Sequence, residues 1–315
     1  MTVQAAALRP PYHHRDFDPG ELARARWASG VTVSVCLPAR DEAPTVGAIV
    51  GSIRRDLVER WGLVDEVIVL DDGSTDDTAR VAAAAGADVV SVEGVLPETG
   101  PGSGKGDVLW KSLFAARGEV ICWIDADIAN FEPHFVTGLL GPLLLGPEVG
   151  LVKGFYRRPA GGLPHGGGRV TELVARPLVS KLFPHLGSFV QPLAGATAGR
   201  RQVLEAVPFL DGWGVEFGLL VDVVERFGLD RVAQVDLGRI EHDSGTLRKL
   251  GPQATAVLTV ALRRAGLDTS SDPSCELLRF DEDHLPEVER VPVGERPPML
   301  TVPGYRVLFP EELPA

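Results

Sequence analysis

From Val31 onward the chain alternates short apolar runs with stretches whose apolar residues recur at helical spacing. Val31-Thr32-Val33-Ser34-Val35-Cys36-Leu37-Pro38 is β-branched and ends at proline, which predicts a strand, and the periodicity from about Thr45 to Glu59 predicts a helix behind it. A second cycle places a strand over Glu66–Leu70 and an alanine-rich helix over Asp77–Ala85, with Ser74-Thr75-Asp76-Asp77 offering a Ser/Thr-x-x-Asp helix start. Val89–Val92, Asp107–Ala116 and Glu119–Ile124 continue the pattern as strand, helix and strand. Strands alternating with helices imply a parallel sheet covered on both faces, and apolar strands without polar alternation suit that burial.

The second half is less regular. Val149–Phe155 and Val232–Leu237 predict strands, and Gly161–Gly168 is a glycine-rich loop entering a helix from about Val170. Further helices are predicted near Gln202–Ala206, Val215–Phe227 and Ala254–Ala265. Residues 1–30 are polar and irregular, with a short helical run at Glu21–Arg26, and read as an N-terminal arm. The tail from Ser270, rich in Pro and Glu, reads as a surface extension or a partner-contacting strand.

Composition narrows the class. With 44% apolar and 23% charged residues the chain has the make-up of a globular protein. Its net charge of −12 argues against a general nucleic-acid binder, since phosphate-backbone affinity comes from clustered Lys and Arg. Cys36, Cys122 and Cys275 are odd in number and lack ligand spacing, so neither a disulfide framework nor a zinc site is expected. The N-terminus has no basic-then-apolar signal pattern, and no apolar run reaches the roughly 18 residues of a membrane span. A soluble, cytoplasmic protein is expected, with no membrane and no nucleic-acid partner.

Ligands of open parallel sheets bind beyond the carboxyl ends of the strands. Polar clusters stand at three such ends: Ala39-Arg40-Asp41-Glu42, Asp71-Asp72-Gly73-Ser74 and Asp125-Ala126-Asp127. Two carboxylates at i and i+2 can reach one divalent cation where the backbone turns, and hard ions such as Mg²⁺ or Mn²⁺ want oxygen ligands. Alone, an Asp-x-Asp is more often a solvated strand end than a metal site; the neighbouring carboxylates at Asp71 and Asp72 favour a ligand site. Gly102-Ser103-Gly104-Lys105-Gly106 presents one lysine ahead of a helix, which suits a phosphate or nucleotide, although the Walker A spacing is missing.

The set Pro38-Ala39-x-Asp41-Glu42, Leu70–Asp76, Gly104-Lys105-Gly106 and Asp125-Ala126-Asp127 resembles GT-A glycosyltransferases. Leu151–Pro159, Gly166–Leu178, Gln191-Pro192-Leu193 and Gly214-Val215-Glu216-x-Gly218-Leu219-Leu220 narrow the resemblance to the actinobacterial glucosyl-3-phosphoglycerate synthases and their mannosyl relatives, over roughly residues 31–265 plus Arg296–Met299. The resemblance implies an α/β, Rossmann-like GT-A fold with a mostly parallel sheet and a C-terminal acceptor-binding portion. Its division would be an arm over 1–30, a nucleotide-sugar part over 31–150, an acceptor part of the same domain over 151–268, and an extension over 269–315.

It also implies roles. Ala39, Arg40, Glu42, Asp72 and Lys105 match positions around the uridine. Asp127 and His242 match metal ligands for Mg²⁺ or Mn²⁺, with Asp125 supporting through water. Glu216 matches the residue holding donor-sugar hydroxyls, while Gly168, Arg169 and Thr171 match the phosphoglycerate site. Glu216, Asp127 and Arg169 thus form the implied catalytic set of a retaining enzyme, one that needs no side-chain nucleophile. UDP-glucose and 3-phosphoglycerate are the implied substrates, and a homodimer the implied assembly.

Two segments depart from the family pattern. After Gln191-Pro192-Leu193 the family usually carries a small residue, Gly, Glu and Tyr; Ala194-Gly195-Ala196-Thr197 here removes a carboxylate and an aromatic ring. Around His242 the family is strongly basic, whereas this chain has Ile240, Glu241, Asp243, Ser244 and Gly245, with Arg239, Arg248 and Lys249 as compensating cations. Trp213 replaces a usual Tyr. Beside the first reading therefore stand a relative with another donor (GDP-mannose or UDP-glucuronate) or another acceptor (a nucleobase or nucleoside), and a non-catalytic sugar-nucleotide binder, against which the Asp125, Asp127, His242 and Glu216 set speaks.

Overall fold

A computed structural model describes residues 9–100, 102–158, 167–241 and 246–309. Its elements are β1 (Tyr12–His13), α1 (Pro19–Ser29), β2 (Val33–Ala39), α2 (Val46–Ile53), β3 (Glu66–Asp71), α3 (Thr78–Ala84), β4 (Asp88–Ser91), α4 (Gly104–Ala115), β5 (Val120–Trp123), α5 (His134–Leu145) and β6 (Leu151–Arg157). They continue with α6 (Arg176–Leu182), β7 (Thr197–Arg200), α7 (Arg201–Leu204), β8 (Phe209–Leu210), α8 (Val215–Phe227), β9 (Val232–Arg239), α9 (Leu247–Arg264), β10 (Ser274–Phe280), β11 (Pro286–Pro292), β12 (Glu295–Arg296) and α10 (Pro303–Leu308).

Eight strands form one sheet in the order β1-β9-β6-β7-β5-β2-β3-β4. All pairings are parallel except those of β7, which runs antiparallel to both β5 and β6. This is the mostly parallel α/β sheet expected from the alternation. Side chains of β2 show why it is buried: Val33, Val35 and Leu37 enter one core and Cys36 the other. The first core is covered by α1, α2, α3 and α5, the second by α4, α6, α8, α9 and the C-terminal segment. Among the described residues no helix is long and apolar enough to cross a membrane.

The polar N-terminal stretch is more ordered than its composition suggested. Tyr12–His13 extends the sheet beside β9, and Asp18 caps α1 by accepting from Glu21 N–H at 2.9 Å, with Pro19 opening the helix and Gly30 closing it in the left-handed region at φ 72°. The tail also folds back. β10 and β11 make a hairpin on α9, and β12 pairs with β8. Arg296 Nε donates to Asp107 at 2.8 Å and its Nη1 to the Thr99 carbonyl at 2.8 Å, while Trp110 Nε1 donates to the Pro297 carbonyl at 2.8 Å. The tail thereby braces α4, the helix that opens with the Gly104-Lys105-Gly106 turn.

α4 starts three residues before the predicted Asp107. Glycine at 106 is required there by close approach, because a Cβ would overlap the Leu210 carbonyl oxygen. The Gly212 N–H meanwhile reaches back to the Ser103 carbonyl at 2.7 Å. Among the elements that were not predicted are α5 and β7. α5 carries Gly138, Gly141 and Pro142, poor helix formers, and exists because Phe135 to Leu143 are wholly buried. The short β7 is built of Thr, Ala, Gly and Arg.

Candidate active site

The carboxyl ends of β2, β3 and β5 open side by side. Register pairs Ala39 with Asp71, Asp72 N–H donates to the Ala39 carbonyl at 3.0 Å, and Ile124 N–H donates to the Cys36 carbonyl at 3.2 Å. The loops leaving them are knitted together. Asp41, held at φ 59°, accepts from Thr75 N–H at 2.7 Å and donates its own N–H to Ser74 Oγ at 3.0 Å. Glu42 N–H donates to Thr78 Oγ1 at 2.7 Å, and Thr45 Oγ1 donates to the Ala126 carbonyl at 2.6 Å. The Asp71–Asp76 turn therefore both starts α3 and fixes the loop carrying Arg40 and Glu42.

A cleft of about 890 Å³ spans these strand ends. Its lining includes Ala39, Arg40, Glu42, Asp72, Lys105, Asp125 and Asp127 from the strand-end loops and α4, together with Gly168, Arg169, Thr171 and Glu216 from the second half of the chain. All the predicted site residues within the described regions thus share one cavity. His242 lies outside the described residues, as do Gly161–Gly166 of the glycine-rich loop.

The centre is an ion cluster. Lys105 Nζ lies 2.5 Å from Asp125 Oδ1 and 2.9 Å from Glu216 Oε1. Burial works to lower the lysine's pKa, but the two carboxylates outweigh it and raise it above its ordinary value. Glu216 stands in the first turn of α8, only 8% exposed, where the helix N-terminus favours a negative charge. In the same cleft Arg40 is 3.7 Å from Asp72, whose pKa is raised by burial despite that arginine.

Negative charge accumulates toward Asp127. Glu42 is pushed up to about 7, first by burial and then by Asp127, Asp76, Asp125 and Asp41. Such a crowd of carboxylate oxygens fits a hard divalent cation, which would relieve the mutual repulsion. Asp125 and Asp127 are the candidate ligands on this loop; among the described residues no group of three or more His, Cys, Asp or Glu side chains is assembled for a metal. The chain does, however, bring Glu241 to the same loop: its N–H donates to Asn130 Oδ1 at 2.8 Å, and its carbonyl accepts from Ala129 N–H at 2.9 Å.

Several lining residues carried no predicted role. Gly195 backs the ion cluster so tightly that a Cβ would overlap the Asp125 carboxylate and sit 2.6 Å from Lys105 Nζ. Behind it, fully buried Lys153 donates to the Ala194 carbonyl at 2.6 Å and to Thr197 Oγ1 at 3.1 Å; burial lowers its pKa to about 8. Arg158, at the end of β6, faces the cleft. A charged residue inside or ending a buried strand was the available signal for both. Of the three compensating cations only Lys249 lines the cleft; Arg239 pairs with Glu241 at 2.7 Å and Arg248 pairs with Glu287 on the hairpin.

A nucleotide-sugar-sized cleft at the carboxyl edge of a mostly parallel sheet, with an Asp-x-Asp turn at its floor, defines a GT-A glycosyltransferase site. Residues 34–182 match the sequence profile of Glycosyl transferase family 2. The glucosyl-3-phosphoglycerate synthase of Mycolicibacterium smegmatis is 49% identical over 278 residues, spanning 87% of this chain and 91% of that one. Among solved structures, that of glucosyl-3-phosphoglycerate synthase from Mycobacterium tuberculosis in complex with Mn²⁺, UDP-glucose and phosphoglyceric acid superposes with a TM-score of 0.84 at 44% identity, covering 94% of this chain and 99% of the other. Mannosyl-3-phosphoglycerate synthase from Rubrobacter xylanophilus superposes with a TM-score of 0.84 at 38% identity, covering 93% and 97%. The chain belongs to the glucosyl-3-phosphoglycerate synthase family of glycosyltransferases, as its motifs implied.

Proposed function

We propose that this protein transfers glucose from UDP-glucose to the hydroxyl of 3-phosphoglycerate with retention of configuration, using Mg²⁺ or Mn²⁺. The observation that carries the reading is the Lys105–Asp125–Glu216 cluster, set between the nucleotide-side loops and the Gly168–Thr171 segment in one cleft. Relatives of this family bind Mn²⁺, UDP-glucose and phosphoglyceric acid together, which supports the same substrates here.

In this reading Ala39, Arg40, Glu42, Asp72 and Lys105 surround the uridine diphosphate, and Gly168, Arg169 and Thr171 seat the acceptor, an arginine beside glycine amides being a good anion seat. Glu216 orients the sugar hydroxyls. A carboxylate already paired with an ammonium is a poor nucleophile, which suits a mechanism without a covalent intermediate. Asp127, with Asp125 and His242, would hold the cation, whose contribution is to neutralise the diphosphate leaving group. The remaining catalysis is alignment of acceptor hydroxyl and anomeric carbon by these fixed side chains. A cytoplasmic homodimer completes the reading, to be checked by light scattering and cell fractionation.

The test offers purified protein and Mn²⁺ a choice of UDP-glucose, GDP-mannose or UDP-glucuronate, with 3-phosphoglycerate, nucleobases or nucleosides as acceptors, and follows products by mass spectrometry. Glucosylation of 3-phosphoglycerate is expected. Its absence with UDP-glucose overturns the reading, and a product from another pair identifies the replacement.

A further inference from the structure

Arg158 stands out among the cations of the cleft. Arg40 is answered by Asp72, and Lys105 by Asp125 and Glu216. Arg158 has no carboxylate at ion-pair distance among the described residues, although it lines the same cavity. Its guanidinium is held in place: Nη2 donates to Tyr156 Oη at 2.7 Å, and its Cζ lies 4.7 Å over the Tyr156 ring. The platform beneath is clamped in turn, since Gln191 accepts from Tyr156 N–H at 3.2 Å and donates to the Tyr156 carbonyl at 2.5 Å. Nε is buried and finds no acceptor among the described residues. An N–H of a fixed arginine that is withheld from both water and protein is a costly arrangement unless a ligand completes it.

The backbone assigns the ligand side. The Arg158 carbonyl accepts from Gly167 N–H at 3.0 Å, so Arg158 sits at the foot of the Gly167–Thr171 segment, in the cavity that Arg40 and Lys105 also line. A phosphorylated hydroxy acid is anionic at both ends and needs two cationic points. Resting on the functional reading above, we propose that Arg158 receives the carboxylate of the acceptor, while Gly168, Arg169 and Thr171 take its phosphate. The planar fork of an arginine matches a carboxylate bidentately, so Arg158 would set selectivity for phosphorylated hydroxy acids over phosphorylated alcohols.

The test compares 3-phosphoglycerate with the glycerol phosphate of the same configuration, which replaces the carboxylate by CH₂OH, in wild type and Arg158→Gln. Losing a charge-assisted pair should raise the KM for 3-phosphoglycerate roughly 10- to 100-fold. The KM for UDP-glucose, the rate with glycerol phosphate and the melting temperature should stay within about twofold, so that discrimination between the acceptors collapses. Equal losses with both acceptors, or a rise confined to the KM for UDP-glucose, overturns the assignment. Should Arg158→Gln fail to fold, Arg158→Lys keeps the charge and loses the fork; a smaller rise in KM, again selective for the carboxylated acceptor, is expected, and an unselective one overturns the proposal. Wild-type protein that does not use 3-phosphoglycerate overturns the functional reading and this one with it, whereas wild-type turnover with an unselective variant overturns only the role of Arg158.

Discussion

Replacing Lys105 with Met probes the centre of the site through stability as well as rate. The lysine side chain is 13% exposed and bridges Asp125 at 2.5 Å and Glu216 at 2.9 Å, whose side chains are 28% and 10% exposed. Methionine fills a similar volume but leaves two carboxylates facing each other without a cation. Breaking a buried ion pair costs about 3–5 kcal/mol, and hydration of the partly open Asp125 places this case near the lower end, about 3 kcal/mol. Urea unfolding at neutral pH should show that loss as a shifted midpoint with an unchanged slope. Because the freed Asp125 adds negative charge beside Asp127, Mn²⁺ without nucleotide should stabilise Lys105→Met more than it stabilises wild type. A loss below about 1 kcal/mol, or weaker rescue by Mn²⁺ in the variant, refutes the view that Lys105 balances these two carboxylates.

Asp127→Ala should lower turnover by at least about 100-fold and weaken Mn²⁺ binding in parallel, measured by calorimetry; unchanged metal affinity would remove Asp127 from the ligand set. The raised pKa of Glu42 makes the metal-free protein bind an extra proton relative to the unfolded chain between the ordinary carboxylate range and about pH 7. Stability should therefore fall as pH rises from 5 to 8, and Glu42→Gln should flatten that fall in melting scans; a slope that survives the substitution places the cause elsewhere. Gly106→Ala, whose methyl would overlap the Leu210 carbonyl, should cost about 3 kcal/mol because backbone, unlike a side chain, cannot swing away.

The strands β2 to β5 were legible because each is a β-branched or apolar run bounded by turn residues, and their ends carry the polar clusters that converge in the cleft. β7 was not, for Thr197–Arg200 has little strand propensity of its own; the ladders of β5 and β6 on either side impose its conformation. α5 was hidden by Gly138, Gly141 and Pro142, which local preference reads as breakers and burial overrides. At the site, motif spacing identified the residues that the cleft assembles. Lys153 and Arg158 escaped notice as actors because their meaning depends on neighbours brought from far along the chain: Ala194 and Thr197 for the one, Tyr156 and Gly167 for the other.

The reversed strand β7 has an evolutionary reading. The chain leaves the sheet at the end of β6, makes the whole excursion that holds the Gly167–Thr171 segment proposed for the acceptor and α6, and returns in β7, immediately beside its point of departure. Both ends of that excursion are pinned in adjacent strands, and the entropy of closing a loop grows only about 0.6 kcal/mol for each doubling of its length. Changes of length there, away from Val179, Phe183, Leu186 and Phe189, which pack in the second core, are thus thermodynamically inexpensive and leave the ladders of β2, β3 and β5 intact. One scaffold can in this way change the molecule it decorates while keeping the sugar donor it spends.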